Sequence, residues 1–174
     1  MSLFSAVASH LELRRTPWAT VGGVALAVRG VARSTFDVDL LTMDASVLAD
    51  AYWALLVRDG AQVEIRRGDA DDPLRGLVRL LSRDERSVDV FVGRGSWLDG
   101  VVRRAEPFAI LDAKAPVVRA ADLVLLKLHA GGTQDLWDVS QLLDADGAIA
   151  DEVEGRLSEI PRPAAILWKR LRAG

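Results

Sequence analysis

Two aspartates one residue apart, Asp37 and Asp39, stand in the alternating run "FDVDLL". On a strand, residues i and i+2 share a face, so Val38 and Leu40 turn to one side and both carboxylates to the other. Like charges that close raise each other's pKa unless a cation neutralises them. A hard divalent ion such as Mg²⁺ takes this kind of oxygen-only ligand set and leaves positions for water and substrate phosphates. A solvated acidic face is the ordinary alternative, and the pair alone does not choose between them. A third acid adds weight. In "SVDVFVG", Val88, Val90 and Val92 alternate with Asp89. If that strand lies beside the first, three carboxylates meet on one sheet face, the ligand set of two-metal phosphoryl chemistry.

Gly22 and Gly23 precede Asp37 by a gap of thirteen residues. Between a strand and a helix they either make a tight turn or let backbone N–H groups approach a phosphate at the helix N-terminus. Lys127 lies in the otherwise apolar run "DLVLLKLHA", as a phosphate contact or as a lysine snorkelling at a helix edge. Asp135 and Asp138, three apart, share a helix face. Asp135 falls in the first turn, where a carboxylate suits the helix dipole, and it can pair with Lys127 across the Gly131-Gly132 break; a structural role is favoured over metal binding. His129 receives no role, and the five tryptophans are scattered as packing residues would be.

The elements that must position these groups follow from periodicity. "SLFSAVASHLELRR" is a predicted helix, stopped by Thr16 and Pro17. "WATVG" is a strand, "GVALAVRG" a compact helix and "TFDVDLLT" a strand. "DASVLADAYWALLVRDG" is a helix capped by Asp44 and closed by Gly60. "AQVEIRR" is a strand, and "GLVRLLSRDERSVDVFVG" is a hairpin about a polar turn. "SWLDGVVRRA" is a helix and "FAILDA" a strand. From "RAADLVLLKLHA" on, the chain is helical, with Thr133 capping the helix after the Gly-Gly break. A hairpin means a sheet that is not purely parallel. With no G-x-G-x-x-G and no G-x-x-x-x-G-K-[ST], this disfavours a doubly wound dinucleotide fold.

The bulk properties narrow the function. The 174 residues are half hydrophobic and 27% charged, a globular balance for one domain. Without cysteine, thiolate catalysis, disulfides and Cys-type zinc sites are excluded. A net charge of −3 lacks the footprint of a dedicated nucleic-acid binder; the terminal "WKRLR" reads as a complement to a helix dipole. No apolar run is long enough for a membrane span. The opening segment lacks a signal peptide's basic start and cleavage site, so a cytoplasmic protein is expected.

Together, Val21-Gly22-Gly23, Asp37-Val38-Asp39 and Asp89 resemble the signature of the DNA polymerase beta-like nucleotidyltransferase superfamily. That signature is a hydrophobic residue, Gly, Gly or Ser, then Asp-x-[Asp/Glu], and a third acid on a later strand. "RSTFDVDLL" is similar to the wording of small bacterial members, including minimal nucleotidyltransferases of toxin–antitoxin and abortive-infection systems. "DLVLLKLHAGGTQDLWDVSQLL" resembles their Lys helix followed by an Asp-x-x-Asp helix. The resemblance covers about residues 18 to 143.

It implies an α+β fold: a mixed, twisted sheet flanked by helices, with a sheet-bearing core over about 16–115 and a helical C-terminal tail over about 119–174. It implies that Asp37, Asp39 and Asp89 hold Mg²⁺ in a two-ion site, with Mn²⁺ as an alternative, and that Asp89 also activates the acceptor hydroxyl. Gly22 and Gly23 would hold the triphosphate, with Lys127 and Arg33 as phosphate contacts. The implied activity is transfer of an NMP from an NTP to a hydroxyl acceptor (a small molecule, a protein side chain or an RNA end), releasing pyrophosphate. The alternative is a catalytically silent, antitoxin-like protein acting through a cognate partner.

Overall fold

The computed structural model describes residues 1–173. Alternating apolar residues build a mixed sheet from seven strands: β1 (Trp18–Thr20), β2 (Asp37–Thr42), β3 (Gln62–Arg67), β4 (Leu74–Leu81), β5 (Ser87–Gly93), β6 (Glu106–Ile110) and β7 (Ala113–Val117). Their order is β3-β4-β5-β2-β1-β7-β6. β2 runs parallel to β5 and antiparallel to β1, so the aspartate-bearing strands are central and adjacent. Val38, Leu40, Val88, Val90 and Val92 are fully buried on the core face, as the alternation requires.

The helices are α1 (Leu3–Leu13), α2 (Gly22–Val28), α3 (Ala54–Arg58), α4 (Trp97–Arg103), α5 (Ala120–Ala130), α6 (Thr133–Ala145), α7 (Ile149–Gly155) and α8 (Arg162–Ala173). The observed architecture is the α+β arrangement expected, with a twisted mixed sheet flanked by helices. α5 ends at Gly131, whose φ of +69° is a left-handed cap that glycine adopts without strain. Asp122 on α5 is fully buried and accepts bonds from Arg104 and Arg156, tying α4 and the end of α7 to α5. Among the described residues, no helix is long and apolar enough to cross a membrane.

The structure departs from the sequence expectations at three places. The predicted helix over 44–60 is broken: Ala45–Leu48 and Asp50–Trp53 are 3-10 turns, and only Ala54–Arg58 is α-helical. Side chains claim carbonyls there, two of them from outside the segment. Trp53 Nε1 donates to Val47 O (2.7 Å), Arg67 donates to Leu48 O (2.6 Å), and the His10 ring bonds Tyr52 O (2.8 Å). Asp44 still caps, accepting from Ser46 N. "FAILDA" is not one strand but the end of β6 and a turn into β7, with Leu111 at φ +51°. Thr133 is the first residue of α6 rather than its cap; the cap position is Gly132, whose N–H donates to Asp135 (3.2 Å).

Candidate active site

β2 and β5 pair in a register that sets Asp39 directly beside Asp89. The nearest carboxylate oxygens of Asp37, Asp39 and Asp89 all lie within 4.8 Å of one another. The adjacency expected of the two strands is therefore present, and the three acids share one face. Asp37 and Asp39 are half-buried, whereas Asp89 is only 3% exposed. The Thr35 hydroxyl, in the loop before β2, bonds Asp37 and fixes its orientation.

Burial pushes the Asp39 carboxyl up to about 6, and the charges of Asp37 and Asp89 push the same way; Lys127 and the Gly23 N–H pull against them. An acid so raised, among other acids, is under electrostatic strain that a divalent cation would relieve. The oxygen-only donor set fits Mg²⁺ or Mn²⁺.

The two glycines serve this cluster directly. Gly22 has φ +61°, and a Cβ there would lie 1.9 Å from Asp39 Oδ2. Any side chain at that position would be strained and would displace the carboxylate. A Cβ on Gly23 would crowd Thr35 at 2.9 Å. The start of α2 thus packs flush against β2.

On the helical side, Lys127 extends from α5 and is only 14% exposed, so it does not snorkel. Its Nζ donates to Asp135 (2.8 Å) and Asp138 (2.7 Å) on α6. Arg33, from the loop between α2 and β2, also pairs with Asp138. Burial pushes Asp138 up, but hydrogen bonds and charge from Lys127, with Gln134 and Arg33, leave it below the usual carboxylate range. Both cations expected near phosphate are therefore gathered on one buried acid. Asp135 makes the pair with Lys127 that its position suggested, while also bonding the Gly132 N–H. His129 packs edge-on against Trp97. Trp18, Trp53 and Trp168 are core residues, but Trp137 is half exposed on α6, unlike the packing residue expected.

Arg79 escaped the sequence reading. It stands opposite Asp89 across the β4–β5 hairpin and holds it at two points, Nε to Oδ1 (2.8 Å) and Nη2 to Oδ2 (2.6 Å). The hairpin register is symmetric about Asp84, with Arg79 and Asp89 each five residues from it, so the pairing follows only once the centre of the turn is known.

No family model and no curated protein matches the sequence. Solved structures do match the fold. The solution structure of the antibiotic-resistance factor ANT(2'')-Ia is 16% identical, with a TM-score of 0.57 over 98% of this chain and 92% of that one. A crystal structure of ANT(2'')-Ia in complex with adenylyl-2''-tobramycin is 13% identical, with a TM-score of 0.54 over 98% of this chain and 95% of that one. A Thermotoga maritima protein assigned as a nucleotidyltransferase is 13% identical, with a TM-score of 0.52 over 83% of this chain and 96% of its own. At such identities the likeness is one of fold: this chain shares the fold of these solved structures.

Proposed function

We propose that the protein is a metal-dependent nucleotidyltransferase that moves an NMP from an NTP to a hydroxyl acceptor, in the cytoplasm and as one domain of residues 1–174. The observation that carries this is the meeting of Asp37, Asp39 and Asp89, with oxygens within 4.8 Å on one sheet face, beside a glycine turn too tight for any side chain. These three acids would hold Mg²⁺, and the bound metal would polarise the α-phosphate and neutralise charge developing on it. Gly22 and Gly23 offer bare backbone to the triphosphate. Lys127 and Arg33, already oriented by Asp138, would bind its outer phosphates. The acceptor oxygen forms its bond to the α-phosphorus as the bond to pyrophosphate breaks, and Asp89 takes the hydroxyl proton.

ANT(2'')-Ia, caught with adenylyl-2''-tobramycin, makes small hydroxyl-bearing molecules the first acceptors to try, before protein side chains and RNA ends. The decisive assay is pyrophosphate release from each of the four NTPs with Mg²⁺ across such an acceptor panel. One NTP–acceptor pair should turn over, and Asp37→Ala with Asp39→Ala should abolish it; turnover that survives this double change sinks the assignment. The alternative is a catalytically silent partner protein in a toxin–antitoxin setting. One observation favours it: Asp89 is already engaged at both oxygens by Arg79.

A further inference from the structure

The row of charges through the acidic cluster continues past Asp89. Asp39 is in register with Asp89, Asp89 with Arg79, and Arg79 with Glu64. Adjacent strands β2, β5, β4 and β3 thus carry acid, acid, base and acid in one line across the sheet. The planar guanidinium fork uses both oxygens of Asp89, the strongest geometry such a pair can take. A carboxylate so engaged is not free to ligate a metal, so an internal cation and a divalent cation would compete for it.

The two partners differ in freedom. The Asp89 side chain is 4% exposed and fixed, whereas that of Arg79 is 40% exposed. On the opposite side of Arg79 stands Glu64, half exposed, with only a 4.0 Å contact to Arg66. The charges of Asp37 and Glu64 both act on the Arg79 guanidinium, after the dominant contact with Asp89. A second acid is therefore in cross-strand position to receive Arg79 when it leaves the first.

We propose that Arg79 is a positioning residue that competes with the metal for Asp89, balancing and orienting that carboxylate before metal binds and swinging across the strand to Glu64 when it does. The proposal rests on the nucleotidyltransferase assignment. Three acids packed this closely, one of them almost fully buried, need a counter-ion before the metal arrives, and Arg79 supplies it. The consequence is an ordered but weaker metal site.

Mn²⁺ binding without nucleotide, followed by electron paramagnetic resonance, separates the outcomes. Compared with the native chain, Arg79→Ala should bind Mn²⁺ about tenfold more tightly, equivalent to about 1.4 kcal/mol. Arg79→Lys, a cation without the fork, should restore affinity toward the native value. Glu64→Gln should weaken binding, because Arg79 then loses its second partner. If Arg79→Ala does not fold, as judged by circular dichroism, Arg79→Gln supplies the same comparison. Native Mn²⁺ binding that is unchanged or weakened by Arg79→Ala overturns the proposal, making Arg79 a brace, and leaves the nucleotidyltransferase assignment standing. Binding that appears only in Arg79→Ala supports it. Absence of Mn²⁺ binding in every variant overturns both.

Discussion

Asp39 shows how the site strains the fold. Its carboxyl is raised to about 6 by burial first and then by Asp37 and Asp89. The folded protein holds this proton to higher pH than the unfolded chain does. In metal-free protein the contribution of Asp39 to stability therefore falls as pH rises from about 4 to about 6, and its loss is complete above that. Asp39→Asn removes the buried charge. In the presence of EDTA it should stabilise the protein by about 2 kcal/mol at pH 7.5 and by much less at pH 4, as measured by urea unfolding. An equal gain at both values, or a loss at pH 7.5, would contradict this account of Asp39. At this scale most of the site was legible, because period-two alternation fixes which side chains share a face. Asp37 and Asp39 could be placed together on that ground, whereas Asp89 joins them only through the pairing of β2 with β5, which alternation does not fix. Arg79 could not, since its role depends on which residues of a hairpin stand opposite each other, and the centre of the turn at Asp84 is not marked by a glycine.

Among the elements, α5 and α6 matter most, because their facing residues present Lys127. Asp138 is fully buried and receives Lys127 and Arg33 together, whereas the Asp135 side chain is 23% exposed. Removing the acid from a buried pair costs on the order of 3–5 kcal/mol, against up to about 1 kcal/mol for a partly exposed one. Asp138→Ala should therefore lower Tm by roughly 6 °C or more, and Asp135→Ala by a small fraction of that, as read by scanning calorimetry. The reverse ranking would mean that Asp138 does not organise this pair of helices. The sequence marked both helices through the Gly131-Gly132 break, but it misjudged elements whose carbonyls are claimed by distant side chains. Arg67 and His10, together with Trp53 from within the segment, take carbonyls of what reads as one long helix. The β6–β7 turn was hidden because Leu111 adopts a positive φ that its type does not advertise.

For the whole molecule, the site lies on central strands of the sheet. β2 and β5 are flanked by paired strands on both sides, and their core faces are fully buried. Carboxylates that repel one another are held there by strands paired on both sides over a buried core, with Arg79 bonded to Asp89. That arrangement predicts that nucleotide and metal act together as a stabilising ligand. The most direct test is thermal unfolding with each of the four NTPs, with and without Mg²⁺, for the native chain and for Asp37→Ala with Asp39→Ala. A ligand at about a hundred times its Kd adds about 2.7 kcal/mol, a rise of roughly 5 to 10 °C for a domain of this size. The expected result is that at least one NTP raises the native Tm by that amount only when Mg²⁺ is present, with no rise in the double variant. No shift at saturating NTP and Mg²⁺, or an equal shift in the double variant, would contradict the assignment of Asp37, Asp39 and Asp89 as the metal–nucleotide site.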